Sequence, residues 1–195
     1  WVRPLPGLAP PRALRYGCRR MRRPIPLRRR PLDLALIAFF AVNLLFTTYV
    51  VSLEQVVIAD PFRFTPPPWP PERLLALVHW WEKSYDPLLL ARPAWYRATI
   101  WLDVLLFGPF YAVAIWAYAR GREWIRLPSV IWATMLFTNV FIILFDEILG
   151  VHATPHPGVV VAANASWMAV PILVAWRMAR SEHPFTEEVG EGEGA

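Results

Sequence analysis

The sequence has a single cysteine, Cys18, which excludes an internal disulfide framework and any cysteine-built zinc site. It contains no glycine-rich phosphate loop, nucleophile elbow or dinucleotide fingerprint. Its histidines, His79, His152, His156 and His183, are scattered without ligand spacing. His152 and His156 stand four apart, but Pro155 and Pro157 break the helix that would align them. Neither a metal nor another cofactor is expected. Charge is scarce as well. Only 18% of the residues are charged, against about a quarter in soluble domains, whereas 56% are hydrophobic. Mean hydropathy is +0.34 and eleven residues are tryptophan, so a single membrane-embedded domain is expected.

The net charge of +5 hides an asymmetry. Arginines crowd the first thirty residues, from Arg3 to the run Arg28, Arg29 and Arg30, while the stretch from Glu187 to Glu193 is acidic and glycine-rich. Few aromatics interleave with the arginines, so no nucleic-acid partner is expected. Basic residues beside an apolar run instead mark the cytoplasmic flank and can meet anionic headgroups. The run is too long for a signal peptide, and Trp1 in place of methionine predicts a processed or truncated start.

Four apolar runs are long enough to span a bilayer, at about Leu34–Leu53, Ala98–Tyr118, Ser129–Leu149 and Val159–Met178. The fold class expected is all-α, a four-helix transmembrane bundle. Residues 1–31 read as a disordered basic segment, 32–180 as the membrane domain and 181–195 as a disordered acidic tail. Between the first two spans, the prolines of Thr65–Pro71 stop any helix. The following ERLLALVHWWEKSY carries an apolar stripe at Leu74, Leu75, Leu77, Val78 and Trp81. That segment predicts an amphipathic helix, too short to span, lying at the interface or capping the bundle. Basic residues at the N-terminus, at Arg120, Arg122 and Arg126, and at Arg177 and Arg180 put both termini on the cytoplasmic side. The membrane would be the plasma membrane in a bacterium and the endoplasmic reticulum in a eukaryote.

Some polar residues are out of place in such runs. Asp103 lies five residues into the second span, where a bare carboxylate costs about 3 kcal/mol, so it either faces the interior with a partner or a proton, or snorkels to the headgroups. Glu54 closes the first span at similar depth, and two adjacent carboxylates cannot both ionise cheaply. A half-ionised pair suits a cationic amine or proton transfer to a carbon–carbon double bond. Asn139 and Asn164 fall mid-span, where amides commonly bridge helices. Trp132, Trp167 and Trp176 read as packing or interfacial residues.

The stretches WWEKSYDPLL (Trp80–Leu89), RPAWYR (Arg92–Arg97), Asp103 with Pro109 and Phe110, and GREWIRLP (Gly121–Pro128) resemble the EXPERA superfamily in its sigma-2-receptor-like branch, to which the emopamil-binding sterol isomerases are related. Ile143–Glu147 and Pro171 fit the same pattern, over about Leu34–Arg180. The resemblance implies a four-helix bundle, often a homodimer, with a pocket open to membrane lipids that binds sterols or cationic amphiphiles. It puts Asp86 at the family's DPLL aspartate, Asp103 at its second-span acid, Trp132 at its pocket aromatic and Asn139 at a third-helix hydroxyl position. Glu54 is the candidate for the first-helix acid, although matching Gln55 to the family's glutamine would leave Leu53 there, about 100° around a helix. The isomerase branch implies a His-x-x-x-Glu pair that the first spans lack, and an Asn-x-x-Trp that Asn164 and Trp167 supply. The expected function is therefore sterol or cationic-amphiphile binding, and the alternative is a double-bond isomerase. No catalytic residue is assigned.

Overall fold

The computed structural model describes residues 21–189. A strand β1 (Arg22–Pro24) leads into α1 (Pro31–Val57), and α2 (Glu72–Ser84) and α3 (Pro87–Ala91) occupy the long loop. Then come α4 (Ala94–Ala119), α5 (Arg126–Leu149, entered through a 3-10 turn at Glu123–Ile125), α6 (Pro157–Ala179) and β2 (Thr186–Glu188). α1, α4, α5 and α6 each exceed the roughly 20 residues that a bilayer crossing needs, so the chain is a multi-pass, all-α membrane protein. Prolines at the first turn start α1, α3 and α6, where a missing N–H costs nothing.

In lipid no hydrophobic force drives helices together, so close packing and hydrogen bonds must do it. α1 lies against α4, and α5 against α6. Fully buried Ala114 and Ala117 let α4 approach closely, and Phe40 fills the centre between Tyr111, Tyr118 and Trp132 at centroid separations of 6.0, 5.3 and 5.3 Å. α2 caps one end of the bundle, burying Leu75 and Val78 as its stripe predicts. Its buried face also carries His79 and Glu82, and Leu77 stays 47% exposed.

Neither of the first two spanning helices is α-helical throughout. α1 is a π-helix over Asn43–Ser52, and α4 over Asp103–Phe107. Bonding to i−5 instead of i−4 widens the turn and rotates every side chain beyond it relative to an unbroken α-helix. The two wide segments face each other. Trp69 Nε1 donates to the Tyr49 carbonyl of the first at 2.6 Å.

Disorder was expected in 1–31 and 181–195, and much of both lies outside the described residues. Where described, Arg22, Arg23 and Pro24 pair antiparallel with Glu188, Glu187 and Thr186. Opposite charges align across this ladder, with Arg23 Nε to Glu187 Oε1 at 2.9 Å. Beneath it Asp33, wholly buried at the start of α1, accepts from Arg30 Nη1 at 2.8 Å and from Arg177 Nε at 2.7 Å. Phe185 lies under both guanidiniums at 5.5 Å. The two ends of the described chain are thereby held at one face of the bundle.

Gly108 marks a close helix crossing, since a Cβ there would lie 2.7 Å from the Thr48 methyl. Gly108→Ala should lower the unfolding temperature in detergent despite alanine's better helix propensity, by the equivalent of about 1–3 kcal/mol. Adding Thr48→Ser, which deletes that methyl, should restore most of the loss. Thermal unfolding of the three variants checks this.

Candidate functional site

Behind the π-helical segments lies an intramembrane cavity of about 380 Å³, bounded by residues of α1, α2, α4, α5 and α6. Its walls are mostly apolar, with Phe46, Val51, Leu136 and Ile143 among them, and polar groups enter at few points. Ser52 and Gln55 come from α1, Asp103 and Tyr111 from α4, Asn139 and Glu147 from α5, and Asn164 and Trp167 from α6. Trp80, Trp81 and Asp86 approach from the capping segment.

Asp86 is positioned by local sequence. It is the N-cap of α3, with Pro87 at the first helical position. Its Oδ1 accepts from Leu89 N at 2.8 Å, and Trp81 Nε1 lies 3.4 Å from Oδ2. Burial pushes its carboxyl above the usual range, against these donated hydrogen bonds, and the Glu147 carboxyl lies beside it. Asp103, buried, opens the π-segment of α4 and faces Ser52 and Thr48 of α1; its Oδ2 has no hydrogen-bond partner. The interior alternative for Asp103 is thus the one realised, and headgroup snorkelling is not.

Five predicted site residues therefore line one cavity: Asp86, Asp103, Asn139, Asn164 and Trp167. Two do not. Trp132 is not part of the lining; it is stacked on Phe110 at 5.2 Å and packs edge-on against the lining residue Tyr111 at 5.8 Å. Glu54 is fully buried but turned to the other side. It accepts from Arg92 Nη2 at 2.9 and 3.0 Å and meets His79 Nε2 at 2.9 Å. The expected Glu54–Asp103 pair does not form. The ten π-helical residues before Glu54 rotate it away and bring Ser52 and Gln55 to the cavity instead.

The mid-span amides also differ from expectation. Asn164 Nδ2 donates to Val160 O within its own helix at 2.9 Å. The bridge between helices is Asn43 of α1, whose Oδ1 accepts from Trp167 Nε1 of α6 at 2.6 Å. Pro171 removes the hydrogen bond that Trp167 O would accept inside α6, loosening that helix beside the cavity.

Glu147, Glu82 and Arg92 lie within the quoted motifs but carry no site role in the sequence. Glu147 is 2% exposed near the end of its span, so its carboxyl must be buried and face a partner or a ligand. Arg92 donates to Glu54, to Glu82 Oε1 at 2.8 Å and to the Ile58 carbonyl at 2.7 Å. It holds α1, α2 and α3 together. A φ of 49° is unusual for a side-chain-bearing residue, and these bonds hold it there. Its signal in the sequence was faint: an arginine just before Pro93, six residues past the Asp86 cap.

The EBP family model, described as EXPERA (EXPanded EBP superfamily), matches residues 74–178, just over half of the chain. The chain belongs to the EXPERA superfamily. Within it the chain is similar to sigma intracellular receptor 2 of Xenopus tropicalis, 27% identical over 154 residues that cover 72% of this chain and 84% of the relative. The relative of the same name in Macaca fascicularis is 25% identical over 178 residues, 84% and 96% of the two chains. That of Homo sapiens is 28% identical over 126 residues, 57% and 72%. The EXPERA match spans α2 to α6 and so contains every cavity residue outside α1.

Breaking a buried ion pair from one side leaves a bare charge, which costs about 3–5 kcal/mol. Arg92→Met should therefore unfold at markedly lower temperature than the parent, and further than Glu54→Gln, which leaves Glu82 to pair with Arg92. Burial pushes Glu82 up from 4.5 to about 7, so the folded chain holds more protons than the unfolded one across that interval, and stability falls as pH rises through it. Unfolding temperatures between pH 5 and 7.5 should decline less steeply for Glu82→Gln than for the parent.

Proposed function

We propose that this EXPERA protein binds an amphiphile with a hydrogen-bond-donating polar end, a cationic amine or a sterol hydroxyl, inside the intramembrane cavity. One observation carries the reading. Three buried oxygens on cavity-lining residues, Gln55 Oε1, Asp103 Oδ2 and Glu147 Oε2, have no donor. An acceptor left bare in a low-dielectric wall costs about 1–3 kcal/mol, so an occupant that brings donors gains by satisfying it. The apolar walls suit a lipid body, and the cavity volume is that of ordinary small-molecule sites.

The side-by-side carboxyls of Asp86 and Glu147 favour a cation. Two carboxyls side by side in an apolar wall cannot both ionise cheaply, and an ammonium would neutralise the charge that remains while donating to both. Both termini are proposed to face the cytoplasm, on the strength of the basic flanks.

A second reading is double-bond isomerisation, favoured by the presence of Asp103 and of the Asp86–Glu147 pair on the lining of one apolar cavity. One carboxylic acid would give its proton to an alkene carbon. The other carboxylate would remove a proton from a carbon next to the resulting cation, so the double bond moves and the proton count is unchanged.

Asp86→Asn keeps the α3 cap but removes the charge, so loss of binding there reports on the site instead of the fold. Asp86→Asn, Asp103→Asn and Glu147→Gln should each weaken saturable binding of a cationic amphiphile by tenfold or more, as the loss of a charge-assisted hydrogen bond worth about 1.5–3 kcal/mol implies. Unchanged affinity in all three excludes the proposal. Incubation with a Δ8-sterol in deuterated water distinguishes the second reading, which requires an isomerised product carrying deuterium.

A further inference from the structure

A separate groove lies at the opposite end of the bundle from α2, where α1 begins and α6 ends. It is lined by Arg29, Arg30, Leu32, Trp176, Arg180 and Ser181, with Asp33 and Arg177 at its base. The base is electrically balanced, because Arg30 and Arg177 both bond Asp33, and Glu123 lies close by, accepting from Phe185 N at 3.0 Å. The rim is not balanced. Arg29 and Arg180 are exposed, and neither has a carboxylate partner among the described residues.

Arg180 is stacked over the Trp176 ring at 5.0 Å, which orients a guanidinium that solvent would otherwise leave free to move. Trp176 itself is 50% exposed near the end of a spanning helix, the depth at which indoles meet headgroups, and Leu32 lies on the neighbouring span. Arg180, held by Trp176, and the exposed Arg29 therefore overhang an apolar strip on the groove's lining. A phosphate would sit between the guanidiniums within reach of the Ser181 hydroxyl, with acyl chains along Leu32 and Trp176.

We infer that this groove is a binding site for the headgroup of an anionic phospholipid. A free phosphate would share the charge but forgo the apolar strip. A protein helix would need more apolar surface than the groove offers. The site is independent of the amphiphile cavity and touches none of its residues.

The test uses the full chain in zwitterionic detergent, titrated with short-chain phosphatidylglycerol and followed by native mass spectrometry and by unfolding temperature. A saturable one-lipid complex is expected, with short-chain phosphatidylcholine and glycerol phosphate binding far more weakly. Each arginine near a surface phosphate contributes about 1 kcal/mol, so Arg29→Gln with Arg180→Gln should weaken the lipid about 30-fold. Arg29→Lys with Arg180→Lys should retain most of the affinity. The charge-matched control Arg63→Gln with Arg73→Gln, exposed positions in the loop at the other end, should leave it unchanged. Equal losses in both Gln pairs, or equal binding of glycerol phosphate, overturn the inference.

Discussion

The Arg92 guanidinium is the constraint on which the rest of the membrane-facing architecture hangs. It is 8% exposed and its donors reach the Ile58 carbonyl at the end of α1, Glu54 within α1 and Glu82 within α2. Burying one cation with two carboxylates is expensive unless every lone pair and proton is used. That cost is also what makes the arrangement specific, since no slipped packing of α2 on α1 would satisfy the same three groups. The position of Asp86 follows from it. Arg92 closes α3 five residues after Pro87 opens it, so fixing the guanidinium fixes the cap and the carboxyl that enters the cavity.

A second buried knot does the same work at the other end. Asp33, Arg30 and Arg177 tie α1 to α6, while the cross-strand pair of Arg23 and Glu187 ties the flanks. Between two pinned ends, the first two spanning helices carry the distortion. Their π-helical segments lie side by side and open the wall where the cavity needs volume, and Gly108 lets the helices close again immediately below. Such segments recur at functional sites because they re-aim side chains without breaking a helix.

The carboxyls divide into two groups by what neutralises them. Asp33 and Glu54 meet arginines, and their charges are spent on holding helices. Asp86, Asp103 and Glu147 meet neutral donors, each other, or nothing, and they line the cavity. A charge already matched by a guanidinium has little to offer a ligand. An unmatched one in an apolar wall is a standing demand for a donor or a proton. This contrast, more than the number of acids, separates the acids that hold helices from those that line the cavity.

Hydropathy alone determined the four spans, because a bilayer tolerates no other way of burying so much apolar sequence, and the structure lengthens each run only by a few residues at its ends. The capping helix was legible from its proline start and apolar stripe, and Asp86 and Asp103 from their motif and their depth. The register of α1 was not. Depth in the span pairs Glu54 with Asp103, but depth does not give rotation, and beyond ten residues of wider turn Glu54 meets Arg92 instead. Nor could Trp132 be told from a cavity residue, since an aromatic one ring removed from a pocket has the same sequence signature as one inside it. Residue type and spacing fix what a side chain can do and roughly how deep it lies. Which partner it meets depends on helix rotation and on contacts between segments distant in sequence, and only the folded chain decides those.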